Sequence, residues 1–269
     1  MNSFIGKTAF VTGGSSGIGL AASMLLASKG ADVIIFARNQ SLLTYAENEI
    51  RRMKSPVSNR VSSIQLDVTD IAQIKKVMKK ATAKFGAPDL LINCAGRALP
   101  DYFENITFHQ LEETFKVNFF GIWNIISALL PAMKKKGGHI VNTSSMGGYL
   151  GLFGYTDYCA SKFAMMGFSE ALRSEVKQYG IRVSVLCPPD TDTPGFHAEN
   201  LMKPEETRLI SGNIKPLKPQ YIARKLLKGI KKNQFIILPG FKVKLSYLIK
   251  RLTPPIMDHI INKSLSKKA

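Results

Sequence analysis

A chain of 269 residues, 45% hydrophobic and 21% charged, is long enough to bury one large core and too apolar for wholesale disorder. Its formal net charge of +18 is lopsided, because from Arg224 onward twelve Lys and Arg face a single acid, Asp258. Cys94, Cys159 and Cys187 have neither C-x-x-C spacing nor a His cluster, so no disulfide framework and no metal site are expected, and the opening "MNSFIGKTAFVTGG" lacks the basic and long apolar regions of a signal peptide. A cytoplasmic location is the expectation.

In chain order, "KTAFVTGG" (7–14) reads as a buried strand and 17–29 as a helix. "ADVIIFAR" (31–38), "VSSIQLDV" (61–68) and "DLLINCAG" (89–96) are further apolar, β-branched runs, separated by helical patterns at 41–54 and 70–84. A long helical pattern at 107–136 leads to "GHIVNTSS" (138–145), a helix at 156–178 and "IRVSVLCPP" (181–189). After a polar, proline-containing insert at about 190–218 come a helix at 219–232 and a seventh short run, "FIILPG". Strict alternation of strand and helix predicts one α/β domain over 1–240, a Rossmann-type doubly wound parallel sheet with helices on both faces. Residues 241–269 are expected to form a separate basic amphipathic tail. The insert follows the carboxyl end of a strand, where ligands sit in open α/β sheets, and is expected to be a flap over the site.

Between the first strand and first helix lies "TGGSSGIG" (12–19). Glycines there allow a tight turn and close backbone approach, while free N–H groups at a helix start attract a pyrophosphate. Gly13, Ser15, Ser16, Gly17, Ile18 and Gly19 are thus candidate cofactor contacts. At the end of the second strand, where an NAD-selective protein would place an acid for the ribose 2′-hydroxyl, this chain has Arg38. A guanidinium suits a 2′-phosphate, with Ser15 or Ser16 able to add hydroxyl contacts, so NADPH is the expected cofactor.

"YTDYCASKFAM" (155–165) holds two tyrosines ahead of one lysine. On a helix, residues four apart share a face, so Tyr158 can approach Lys162 and Tyr155, two turns away, cannot. A nearby ammonium would lower a phenol pKa toward working pH, as a general acid or base needs.

With "TGGSSGIG", "NCAG" (93–96), Ser145 and "YCASK" (158–162) assembled, the chain resembles the short-chain dehydrogenase/reductase family from residue 6 to about 195. The resemblance implies Tyr158 as proton donor, Lys162 as the group tuning it and holding the nicotinamide ribose, Ser145 as the hydroxyl positioning the carbonyl, and Asn118 as a helper in a water-linked relay. It further implies cofactor contacts from Asp67 and Val68 near the adenine, from Asn93, Ala95 and Gly96 beneath the adenosine, and from Pro188 and Thr193 near the nicotinamide. Asp67 could instead end a strand, Asn93 pin a turn and Thr193 cap a helix. Where the family usually has Pro-Gly, this chain has Pro188-Pro189.

"PPDTDTPGF" with "KPEETRLIS" resembles a branch of the family acting on a long-chain lipid amino-ketone, whose ammonium would favour an acid: Asp190 or Asp192, unless Asp192 is the N-cap of a helix begun by Pro194. The basic, apolar-interleaved tail is expected to lie on an anionic membrane surface or, alternatively, to make a subunit contact. Relatives pair into dimers or tetramers through the helices near 107–136 and 156–178, so a homo-oligomer is expected. Reduction of a 3-oxoacyl-carrier protein, steroid or retinoid, and outside catalysis NADPH sensing or nucleic-acid binding, are the competing readings; no nucleic-acid motif accompanies the charge.

Overall fold

A computed structural model describes residue 1 and residues 3–211 and 215–256. Its centre is a parallel sheet of seven strands: β1 (Thr8–Thr12), β2 (Asp32–Ala37), β3 (Val61–Gln65), β4 (Leu90–Asn93), β5 (Gly138–Thr143), β6 (Ile181–Leu186) and β7 (Ile236–Ile237). Their spatial order is β3-β2-β1-β4-β5-β6-β7, so chain direction across the sheet reverses between β1 and β4. At such a reversal the crossovers leave on opposite faces and open a crevice beyond the carboxyl ends of the two strands. Gly13 and the segment 93–96 stand at that point.

The central strands are mainly apolar because both faces are covered, whereas the edge strand β3 is polar at Ser62, Ser63 and Gln65 and only partly buried. Successive side chains point to opposite sides, which sorts the core into two layers. Val11, Val33, Ile35, Ile92 and Val141 meet α1 (Gly17–Ala27), α2 (Gln40–Arg51) and α9 (Pro219–Lys231) through Leu26, Leu43, Ile222, Leu226 and Ile230. Phe10, Ile34, Phe36, Leu91 and Ile140 face the other way. They meet α3 (Ile71–Phe85), α5 (Gly121–Lys136) and α6 (Thr156–Val176) through Ile74, Met78, Ile125, Leu129 and Met165.

The long run at 107–136 is not one regular helix. Following α4 (Phe108–Phe115), a π-helical turn at Lys116–Phe120 leads into α5, and Asn118 sits in the widened turn. An inserted residue of this kind re-aims one side chain without breaking the helix, a device that recurs at functional sites. This run is long and apolar enough by composition to cross a membrane, yet Ile122, Ile125, Ile126, Leu129 and Met133 are buried against the sheet. Those contacts are those of a core helix.

The insert after β6 is more ordered than its polar sequence predicts. It contains α7 (Pro194–Met202) and α8 (Glu205–Ser211), and its two roots are joined by Asp192 N–H to Leu217 C=O (2.9 Å) and Leu217 N–H to Asp190 C=O (2.9 Å). Thr193 caps α7, its Oγ1 accepting from Phe196 N–H at 3.1 Å, with Pro194 opening the first turn. The cap is therefore Thr193 and not Asp192, because the chain turns helical one residue later than the acid. The seventh run pairs with β6 only at Ile236 and Ile237. Beyond it, Phe241–Leu252 forms α10, anchored by buried Val243 and by the Tyr149 hydroxyl at 3.0 Å from Ser246 Oγ. The remainder of the basic tail, 257–269, lies outside the described residues.

Candidate active site

The glycine-rich loop is shaped by contacts that admit no side chain. Gly13 has φ +65°, and a Cβ on it would lie 2.7 Å from Ala95 N; a Cβ on Gly19 would lie 2.3 Å from Gly13 O. The loop thereby folds flat on the end of β4 and presents the start of α1, where Ser16 makes no side-chain capping bond. A cleft runs from this loop past Ala37, Arg38, Leu66 and Val68 to Ala95 and Gly96. Its bare backbone and open helix start fit a pyrophosphate, and the lining that includes both Arg38 and Thr193 suits a dinucleotide. Arg38 is exposed at the mouth, and among the described residues its guanidinium has no ion pair.

The other proposed contacts divide between the cleft and the frame behind it. Gly13, Ser15, Ser16, Gly17, Ile18, Gly19 and Thr193 line the cleft. Asp67 Oδ1 is engaged by Thr69 N–H and Oγ1, at 2.9 and 2.8 Å, in a local turn at the end of β3. Asn93 is fully buried. Its Nδ2 donates to Asn142 Oδ1 (2.9 Å), and Asn142 Nδ2 donates to Ser169 Oγ (2.9 Å), a polar thread joining β4, β5 and α6 beneath the crevice. Losing one partner in such a thread strands a buried amide, at a cost of about 1–3 kcal/mol.

A cavity adjoining this cleft is walled by Ser145, Tyr155, Tyr158, Lys162, Pro188 and Asp190, with Phe153, Phe196 and Ile210 also in its lining. Ser145 follows β5 by two residues and caps a 3₁₀ turn, accepting from Gly147 N–H at 3.1 Å, and its hydroxyl neighbours the Tyr158 phenol. Tyr158 and Lys162 are one turn apart on α6, with Lys162 Nζ 5.5 Å from the Tyr158 ring centroid. Tyr155 lies in the same wall, its ring centroid 5.7 Å from that of Tyr158.

The electrostatics differ from those expected of an exposed pair. Lys162 is buried, donates to Thr143 C=O at 3.1 Å, and is pulled down to about 8 by burial. Tyr158 is pushed above the usual phenol range, first by burial, against the Ser145 hydrogen bond that lowers it. In the free protein burial outweighs any depression of the phenol by the ammonium, whose Nζ lies 5.5 Å from the ring centroid and donates to the Thr143 carbonyl. Asn118 grips the loop after β4, accepting from Arg97 N–H (2.9 Å) and donating to Arg97 C=O (3.0 Å) and Ser161 Oγ (3.1 Å). A Cβ on Gly96 would sit within 3.5 Å of both Asn118 Oδ1 and Lys162 Nζ, so the bare glycine keeps that space open.

Residues 7–204 match the short chain dehydrogenase family. This chain belongs to that family. It is 41% identical over 232 residues to the 3-ketodihydrosphingosine reductase of Bos taurus, covering 86% of this chain and 70% of the relative. It is 37% identical over 265 residues to the 3-ketodihydrosphingosine reductase of Dictyostelium discoideum, covering 93% and 79%. The fold matches a short-chain dehydrogenase/reductase from Burkholderia phymatum solved in complex with NAD, with a TM-score of 0.80 at 24% identity over 95% of this chain and 96% of that one. As a short-chain dehydrogenase, the protein is an NAD(P)-dependent oxidoreductase.

The sequence reading did not single out Glu199 and Lys203, which α7 brings to the same cavity. The Tyr155 hydroxyl donates to Glu199 Oε1. Lys203 Nζ lies 3.7 Å from that oxygen and 3.5 Å from Asp190 Oδ2. In the sequence the two are an ordinary i,i+4 helix pair; only the docking of α7 over the cavity buries them. Asp192, by contrast, points outward and pairs with His197 Nε2 at 2.8 Å, so of the two acids considered for the substrate only Asp190 lines the cavity.

Proposed function

We propose that the protein reduces 3-ketosphinganine to sphinganine with NADPH, Tyr158 giving the proton. The observation that carries the reading is the joining of Ser145, Tyr158 and Lys162 at the inner end of a dinucleotide cleft with an acidic pair in the same cavity; relatives named for this reaction support the substrate. When bound, the reduced nicotinamide supplies hydride to the carbonyl carbon. Ser145 hydrogen bonds the carbonyl oxygen, and Tyr158 donates its phenolic proton to that oxygen as negative charge develops there. A phenol held high by burial keeps its proton at neutral pH, the protonation state that reduction requires. Lys162 holds the ribose and stabilises the phenolate left behind, while Asn118 and the open space at Gly96 give a water path for reprotonation. Oxidation of NADPH by the purified protein with 3-ketosphinganine, against steroid, retinoid and 3-oxoacyl ketones, tests the reading. A preference for any of the latter would replace it.

Arg38 is proposed as the selector for the 2′-phosphate. Hydrogen bonds to a charged group are worth about 1.5–3 kcal/mol, so Arg38→Ala is expected to raise KM for NADPH by about 10- to 100-fold and to change KM for NADH much less. Parallel changes for both cofactors would remove Arg38 from this role.

The partner of α10 is proposed to be an anionic lipid surface. Phe241, Leu245, Leu248 and Leu252 fall at spacings of four, three and four, so they form one stripe, 78, 43, 51 and 68% exposed. Lys242 lies to one side of it and Lys244 and Arg251 to the other, and the helix carries no acid. An apolar stripe bordered by cations matches a headgroup region, where each basic residue contributes about 1 kcal/mol. The full chain is expected to float with phosphatidylserine vesicles and not with phosphatidylcholine alone, and Leu245→Asp with Leu248→Asp to abolish flotation. Flotation unaltered by the pair would sink the proposal. The aromatic cluster of Phe119 and Phe120 on the π turn, Trp123 on α5 and Phe168 on α6 is the proposed contact with a second copy.

A further inference from the structure

We infer that Asp190 and Glu199 form a cation subsite that holds a primary ammonium next to the carbonyl presented to Tyr158, so that the protein selects amino-ketones over plain ketones. The inference rests on the proposed substrate class and names the residues that would enforce it. The geometry starts from an imbalance. Two carboxylates stand against one cation, Lys203, whose side chain is only 2% exposed and whose Nζ is 3.5 and 3.7 Å from the two acids. Both acids line the same cavity as Tyr158. With both ionised, these three side chains carry one net negative charge that a single ammonium would offset; the other cations lining the cavity, Arg97 and Lys162, form no ion pair with either acid among the described residues.

Tyr155 completes the arrangement on the same wall. Its hydroxyl donates to Glu199 Oε1, fixing one oxygen and leaving Oε2 for a ligand. The surroundings respond to the missing charge: burial and Asp190 hold Glu199 above the usual carboxylate range, against Tyr155 and Lys203, which lower it. Both acids in turn push the Tyr158 phenol upward. A cation arriving between them would relieve both effects, so binding of the amine and readiness of the phenol are linked through the same field. Phe153, Phe196 and Ile210 give the same cavity an apolar portion suited to an alkyl chain.

The test compares 3-ketosphinganine with its analogue lacking the 2-amino group, as kcat/KM ratios for wild type, Glu199→Gln and Asp190→Asn. The amino-ketone preference is expected to fall at least tenfold in each variant, mostly through KM; equal losses on both substrates would overturn the subsite. Glu199 also ties α7 to Tyr155, so a second measurement uses unmodified protein and its activity on whichever ketone it reduces best. Dodecylamine is expected to compete at least tenfold more tightly than dodecanol, and equal inhibition would again overturn the proposal. A wild type that reduces other ketones well and 3-ketosphinganine poorly, yet still prefers dodecylamine, would leave the subsite standing and the proposed substrate fallen.

Discussion

Replacing Tyr158 by Phe is expected to lower kcat for ketone reduction by about 10²–10⁴-fold, the range for loss of a positioned general acid, with cofactor binding retained. The substitution removes one oxygen and keeps the ring. The Lys162 ammonium 5.5 Å from its centroid and the Tyr155 ring 5.7 Å away keep their partner. The Ser145 side chain still accepts from Gly147 N–H, so the 3₁₀ turn after β5 holds. Loss of rate without loss of fold is thus the signature, read as NADPH oxidation together with a thermal melt and cofactor titration. A variant keeping more than a tenth of wild-type kcat would show that another group delivers the proton.

The second large effect concerns Lys162, where activity and stability should move in opposite directions. Burial pulls this ammonium down to about 8 from an ordinary value of 10.5. Below about pH 8 the folded protein therefore bears the full penalty of a buried charge. Between about 8 and 10.5 the folded state releases a proton that the unfolded chain keeps, and stability rises with pH across that window. Lys162→Met removes the charge at nearly constant shape. Free of cofactor at pH 7 it is expected to be more stable than wild type by about 2 kcal/mol, allowing for the stranded Thr143 carbonyl. The difference should shrink toward pH 10, and reduction should be largely lost. Denaturant melts of both proteins at the two pH values measure it. A wild type more stable than the variant at pH 7, with a gap that ignores pH, would mean that the lysine is not held in a dry, charged state.

These two expectations show why the free site departs from the simple picture of a lysine acidifying its tyrosine. Spacing on α6 correctly places Tyr158 and Lys162 on one side, but spacing says nothing about what else is buried there. Desolvation acts on both groups and moves them in opposite directions, the phenol up and the ammonium down. The Thr143 carbonyl, brought in by β5, accepts a hydrogen bond from Lys162, a partner that helix spacing does not reveal.

The same division runs through the whole chain. Alternating apolar runs and amphipathic segments determine a parallel sheet with two helical layers, because strands buried on both faces must be apolar throughout and helices covering them need one apolar side. Glycines 13, 17 and 19 mark the strand-to-helix turn for the same local reason: no side chain fits where the backbone closes on itself. The π turn at Asn118, the helices within the insert, and the burial of Glu199 and Lys203 were not legible. Each depends on distant elements. Asn118 is fixed by Arg97 from the loop after β4; α7 is tied down through Tyr155 and Leu217; and an ordinary surface-looking Glu–Lys pair becomes an interior charge group only when α7 closes over the cavity. Local chemistry is written in residue order and spacing, whereas the dielectric around a group, which sets its charge and reactivity, is made by parts of the chain that meet only in the folded molecule.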